Sequence, residues 1–288
     1  MYEIEILENK NSWIVVNKPP GLSVHNAEDA TNLIQELDKL NYKGFSPVNR
    51  LDKETSGIMV LSKDKASSAG LQEALSTSNK SKIYYVIVKG SFNKKRKGVY
   101  NSPLTNKSEG RKNPAGIKAQ RVECLTKYSV IAQTKYLTLL ECEIETGRQH
   151  QIRKHCILDK HQVIGDKRYG DKKINTLIER KYAFNNMTLH SSSLTFDFEG
   201  ESYNYNTTIP TSWSPLMSTM LETMINTIET DINNLEEFKK ENPTSKEVRK
   251  ETSLLLNRIE SAKKLISEND DLKAKLNNLE QKVSALRS

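Results

Sequence analysis

The stretch Asn49-Arg50-Leu51-Asp52-Lys53-Glu54-Thr55-Ser56-Gly57-Ile58-Met59-Val60-Leu61 passes from a polar turn into an apolar run. The run Gly57–Leu61 reads as a strand, entered through Thr55, Ser56 and Gly57. Read by itself, the polar half is an ordinary turn in which Asp52 accepts hydrogen bonds from nearby backbone amides. Working outward, further short apolar runs bounded by Gly, Pro and Asn mark candidate strands at Trp13–Asn17, Ile83–Lys89, Tyr136–Glu145 and Ser193–Phe198. Leu140, Cys142 and Ile144 alternate with Glu141, Glu143 and Glu145, the pattern of a strand with one wet face. The run around Tyr84 is apolar on both faces and is expected to be central. Asp64 can cap a helix running to about Ser76, and a second helix is expected to begin near Arg148. Residues 91–118 are rich in Gly, Asn and Lys and read as a long basic excursion or flexible hairpin.

The apolar share of 36% is low for a wholly globular chain of 288 residues, so part of the length is expected in extended helix or exposed surface. The net charge of +8 is unevenly spread. Residues 215–288 carry 12 Lys and Arg against 13 Asp and Glu, which leaves 32 against 23 in residues 1–214. A polyanionic partner such as RNA fits that excess, and so does a generally lysine-rich composition. Cys124, Cys142 and Cys156 are widely spaced with no Cys-x-x-Cys, which argues against a disulfide framework or zinc site and for a reduced, cytoplasmic setting. The N-terminus lacks a basic segment followed by an apolar run, so no signal peptide is expected. No apolar stretch approaches the roughly 20 residues of a membrane span.

Composition changes after Trp213-Ser214-Pro215. From there the sequence holds no glycine and one further proline, Pro243. Leu221, Ile228 and Leu235 recur every seven residues. Beyond Pro243, where Thr244 or Ser245 can cap a second helix, Leu265, Leu272, Leu279 and Leu286 keep strict heptad spacing. Ala262, Asn269, Leu276 and Val283 fill the paired position. The expected organisation is a catalytic domain at 1–214 and a coiled-coil-like extension at 215–288, two helices broken near Pro243. A helical hairpin within one chain and a dimerising zipper both fit, and a lone Asn269 in the seam favours a homodimer. Truncation at Pro215 is expected to leave a folded domain.

A second segment, Gly147-Arg148-Gln149-His150-Gln151-Ile152-Arg153-Lys154-His155, gathers five basic or imidazole side chains behind a glycine. If a helix follows Gly147, His150 and Arg153 share a face. His150 and His155 stand five apart, a poor spacing for a metal pair. A basic helix start aimed at phosphate or a carboxylate and a solvated surface helix both remain open.

Taken together, these segments resemble the RluA-type pseudouridine synthases. Asn49-Arg50-Leu51-Asp52-Lys53-Glu54-Thr55-Ser56-Gly57 resembles that family's His-Arg-Leu-Asp-x-x-Thr-Ser-Gly. Asn17-Lys18-Pro19-Pro20-Gly21 and the segment through His25, Lys82-x-Tyr84, Gly147–His155, Ile164-Gly165-Asp166-x-x-Tyr169-Gly170 and Leu189-His190-Ser191 resemble the others, in the same order. The resemblance implies an α+β catalytic domain with a mixed, mostly antiparallel sheet, flanking helices and a central cleft. It implies an isomerase that breaks the bond from uracil N1 to ribose C1′ and joins C5 to C1′ in structured RNA, ribosomal or transfer. Nothing enters or leaves overall, so no cofactor and no metal are expected. Asp52 is then the catalytic carboxylate, Arg153 its cationic partner, Tyr84 the residue against the target base, and Arg50 the group that displaces the nucleotide. Lys18, His25, Arg148 and Gln151 are expected to meet RNA phosphates or support the cleft.

Asn49 stands where the family has His, and Gln149 where it has Thr. Activity is expected to survive both. The alternative is an RNA-binding or scaffold protein that has kept the fold and lost catalysis; a glycosidase of free nucleosides is disfavoured by the basic balance. The first strand starts almost at once, so no preceding S4-like domain is expected. RNA recognition then falls to the catalytic domain, its basic excursion or the terminal helices.

Overall fold

A computed structural model of the chain describes residues 2–26, 28–76, 81–92, 95–242, 246–265 and 270–287. The apolar run becomes strand β4 (Ser56–Ser62), buried along its whole length. Its side chains alternate between two cores: Ile58 and Val60 join Trp13, Val15 and Phe196, while Met59 and Leu61 join Ile14, Val16 and Leu33. Burial on both faces is why the run shows no polar alternation.

Before β4 come β1 (Glu5–Asn9), β2 (Trp13–Lys18), α1 (Leu33–Lys39) and β3 (Ser46–Pro47). After it come α2 (Lys65–Ala74), β5 (Ser81–Lys89), β6 (Lys97–Tyr100), β7 (Thr126–Gln133), β8 (Leu137–Ile144), α3 (Gln151–Leu158), α4 (Lys172–Tyr182), β9 (Leu189–Phe198) and β10 (Glu201–Asn206). The architecture is α+β, with one mixed sheet in the order β1-β2-β4-β9-β5-β8-β7-β6; β10 pairs with β9 and β3 with β4. The one parallel pairing among the described strands joins β4 to β9, with Ser56 opposite His190 and Gly57 opposite Ser191. Gly57 has φ +111°, and a Cβ there would lie 2.2 Å from the Ser191 carbonyl oxygen. The glycine is what lets the two strands meet.

Asp64 caps α2 by accepting from the Ser67 amide at 2.8 Å, and the helix ends at Ala74, short of Ser76. Strand β5 lies centrally between β9 and β8. Strands β1, β3, β6, β7 and β10 and helices α1 and α4 are not among the elements expected from the apolar runs. Strand β7 turns into β8 through Thr134-Lys135-Tyr136, which contains neither glycine nor proline, and β10 is mostly polar and exposed.

The excursion at 91–118 is not a loose hairpin where it is described: Leu104 bridges to Val122, and the buried Lys154 ammonium donates to the carbonyls of Thr105 and Lys107, both at 2.8 Å. Among the described residues the C-terminal part forms three helices rather than two: α5 (Ser214–Glu241), α6 (Lys246–Leu265) and α7 (Asp270–Arg287). They pack on one another within the chain. Ala262, Leu276, Leu279 and Val283 are buried with Leu221, Ile225, Ile228 and Ile232, and Leu265, Leu272 and Leu286 pack against the same cluster. That cluster also contains Ile87, Leu137 and Leu139 of the sheet, so residue 214 is no boundary in the core. Pro243, the caps at Thr244 or Ser245, and Asn269 lie outside the described residues.

Candidate active site

Arg153, in the first turn of α3, organises the site. Its Nη1 donates to Asp52 Oδ2 at 2.6 Å, while Nε and Nη2 donate to the two oxygens of Asp166 at 2.8 and 2.9 Å. The guanidinium also lies over the Tyr169 ring, 5.2 Å from its centroid. A planar fork with fixed N–H directions can serve two carboxylates in this way; an ammonium cannot. Burial alone would raise the Asp166 carboxyl, but the Arg153 guanidinium and the backbone amides of Arg168 and Tyr169 hold it below the usual range. Of the two carboxylates, Asp52 is the one that opens to the cleft, with 22% of its side chain exposed.

His150 sits at the N-cap of α3 in the left-handed region, φ 57°, and its Nε2 faces Asp52 Oδ1 at 3.5 Å. Burial pushes its pKa down to about 4, so the ring is neutral near pH 7. Its Nδ1 pairs with the Tyr169 hydroxyl at 2.9 Å. Burial raises that phenol to about 12, so it keeps its proton; with the hydroxyl donating to Nδ1, the imidazole N–H is on the side of Asp52.

The cleft around Asp52 has a volume of about 830 Å³, and His25, Arg50, Lys53, Lys167 and Arg168 line it. Against Asp52 and Glu54, this lining is cationic, suited to a phosphate backbone. An adjoining recess of about 70 Å³ shares Arg50, Asp52 and His150 with it and adds Thr55, Tyr84 and Arg148. Burial pushes the Tyr84 phenol up to about 12, with Ser191 as its hydrogen-bond partner.

Of the residues singled out from sequence, Asp52, Arg153, Tyr84, Arg50 and Arg148 therefore converge, and His25 lies exposed at the mouth of the outer cleft. Gln151 lines the smaller recess as well, whereas Lys18 reaches neither. Lys18 is fully buried, and its ammonium donates to the carbonyls of Pro19, Leu22 and Lys53 at 2.9, 2.8 and 3.1 Å. It ties down the loop that carries Asp52. Gln151 accepts from Thr146 Oγ1 and the Arg148 amide and donates to the Leu125 carbonyl, closing the turn before α3. Asn49 turns inward, where its side-chain oxygen accepts from the Val60 amide at 2.8 Å. Asp166, Tyr169 and His150 were visible as motif letters but had no assigned role; pairing across the fold supplies it. Among the described residues no group of three His, Cys, Asp or Glu is placed to hold a metal, and no helix is long and apolar enough to cross a membrane.

Residues 12–158 match the family described as RNA pseudouridylate synthase. The chain belongs to that family. Ribosomal large subunit pseudouridine synthase C of Buchnera aphidicola subsp. Baizongia pistaciae is 29% identical over 223 residues, covering 76% of this chain and 70% of the relative. Ribosomal large subunit pseudouridine synthase D of Zymomonas mobilis is 31% identical over 222 residues, covering 72% and 69%. Human RNA pseudouridylate synthase domain containing 4 shares the fold at TM-score 0.60 and 24% identity, over 74% of this chain and 93% of that one. The chain is thus an RNA uridine isomerase, and in this synthase the matched region carries Asp52, Tyr84 and Arg153 but stops short of Asp166.

Proposed function

We propose that Asp52 is the nucleophile of this synthase and that its substrate is a uridine of large-subunit ribosomal RNA. The observation that carries the first half is the Asp166–Arg153–Asp52 chain, which holds one ionised carboxylate at the cleft floor with a partner too occupied to neutralise it. The printed names of the relatives support the second half.

In the reaction the N1–C1′ bond breaks, the base turns, and a C5–C1′ bond forms. The C5 hydrogen leaves as a proton and N1 gains one, so atoms and charge balance without a second substrate. Tyr84, with its pKa near 12, is neutral at physiological pH and offers the base a ring face and an O–H. Arg50, exposed at the rim, is the residue placed to enter the space the nucleotide leaves.

The test uses an unmodified large-subunit ribosomal RNA transcript carrying tritium at uridine C5. Asp52→Asn keeps the size and the contact to Arg153 and is expected to abolish tritium release. Release at the wild-type rate would remove Asp52 from the mechanism.

A further inference from the structure

Residues 165–170 border two cavities: the catalytic cleft, and a smaller one of about 370 Å³ walled on its other side by α4. Lys167 lines both. The chemistry at Asp52 makes no use of the smaller cavity, since neither Asp52, Tyr84 nor Arg153 lines it. Its volume falls within the range of about 300–1,000 Å³ usual for ligand sites. The buried part of its lining is apolar, from Ile178 and Phe184. Lys172, Thr176, Glu179 and Asn185 are half-buried or exposed and form a polar rim.

The wall is set before any ligand arrives. Asn175 Oδ1 accepts from the Gly165 amide at 3.2 Å, and its Nδ2 donates to the Asp166 carbonyl at 3.0 Å. The Gly170 amide donates to that same carbonyl at 3.1 Å. A preformed pocket spares its ligand much of the cost of ordering the protein.

We propose that this cavity receives an unstacked base of the same RNA, from a nucleotide flanking the target uridine. The inference rests on the ribosomal RNA substrate proposed above, held with its target at Asp52. Lys167 and Lys172 outnumber Glu179, so the site is cationic where it meets the path of a polyanion. A phosphate alone needs no apolar interior, and an apolar metabolite needs no ammonium. A nucleotide uses both, with the flat base against Ile178 and Phe184, its edge toward Thr176 and Asn185, and its phosphate toward Lys167. A strand lying in the cleft passes Lys167, which favours a neighbour of the target over a free nucleotide. Reading an unstacked base that the chemistry never touches is a way to select one uridine among many.

The experiment uses the full chain and tritium release from the large-subunit ribosomal RNA transcript. Once the modified uridine is mapped, RNAs lacking the base at each flanking position are tested in turn. Removing the base that fills the cavity is expected to lower wild-type kcat/KM about 10- to 100-fold, the usual worth of one stacked base. The loss should lie mainly in KM, because that base takes no part in the reaction. Thr176→Trp, which fills the cavity from its rim, should show the same loss on intact RNA and no further loss on the RNA lacking that base. Leu177→Trp, on the same helix but 59% exposed and outside the cavity, should behave as wild type. A photoreactive thiobase at the sensitive position should crosslink to residues 165–185, a readout that needs no variant to fold. The proposal is overturned if no flanking base has a measurable effect, if the penalty persists undiminished in Thr176→Trp, or if the crosslink falls elsewhere. A wild-type enzyme inactive on this RNA would sink the proposed substrate and this inference together; an active one indifferent to its flanking bases sinks this inference alone.

Discussion

Asp166 and Asp52 grip the same guanidinium from two sides, Asp166 through Nε and Nη2 and Asp52 through Nη1. The deeper carboxylate aims the arginine, and the arginine aims the shallower carboxylate.

Asp166→Asn is therefore expected to act at a distance. It leaves Arg153 without its buried partner, at a stability cost of about 3–5 kcal/mol, and lets the guanidinium turn. The turnover rate should fall at least about 100-fold, as losses of preorganised charge usually do. Urea unfolding and single-turnover tritium release check the two effects. A stable variant with undiminished turnover would contradict this account of the trio.

Lys18→Met separates a structural lysine from an RNA-binding one. The ammonium spends its three hydrogens on the carbonyls of Pro19, Leu22 and Lys53. Its loss should lower stability by about 2–4 kcal/mol through three unmet acceptors. The slope of RNA affinity against salt should not change, because no phosphate contact is removed. A slope reduced by about one would return Lys18 to the phosphate-binding set.

Acid should destabilise the enzyme before its carboxylates titrate. Burial lowers the pKa of both His150 and His190 from 6.5 to about 4. Between those values the unfolded chain binds protons that the folded chain refuses, so stability falls as pH falls from 6.5 to 4 and is insensitive to these two rings above that window. At pH 5 the loss is about 2 kcal/mol for each ring. Urea midpoints at pH 7.5 and 5 measure it; burial lowers His155 as well, so His190→Gln should remove part of the slope and leave the rest. Equal midpoints at the two pH values would refute the assignment.

Removing residues 215–288 is expected to harm the enzyme, reversing the expectation from composition. Helix α5 packs on β7 and β8, and the apolar cluster it belongs to includes Ile87, Ala132, Leu137 and Leu139. Truncation would open that surface to water, and exposed patches of this kind promote aggregation. Expression of residues 1–214 should give insoluble protein or a thermal midpoint lowered by 10 °C or more, about what a few lost kcal/mol imply. Light scattering on the full chain should give the mass of one copy, since the heptad side chains are engaged internally.

Asp52, Tyr84 and Arg153 stood out only through the ordered set of motifs that resembles the family; read alone, the Asp52 segment is an ordinary turn, and the Arg153 segment fits a solvated helix as well as an anion-directed one. The central strands were legible from their apolar runs. Lys18 was misjudged because a lysine letter carries no burial information, and most lysines are solvated. The roles of Asp166 and Tyr169 are set by contacts 13 and 19 residues away along the chain, and no periodicity encodes those. The third C-terminal helix was hidden because heptad spacing runs on unchanged from the sequence of α6 into that of α7.

The β4–β9 junction has one more consequence. Asp52 precedes β4, whereas Arg153 follows β8, and the sheet between them crosses the β4–β9 seam, where two parallel residue pairs are in register. The ion pair across that seam is a strain gauge for the whole sheet. Any torsion between the two wings is felt first as a misaligned carboxylate, so in this enzyme loss of turnover should announce conformational loosening well before the fold itself gives way.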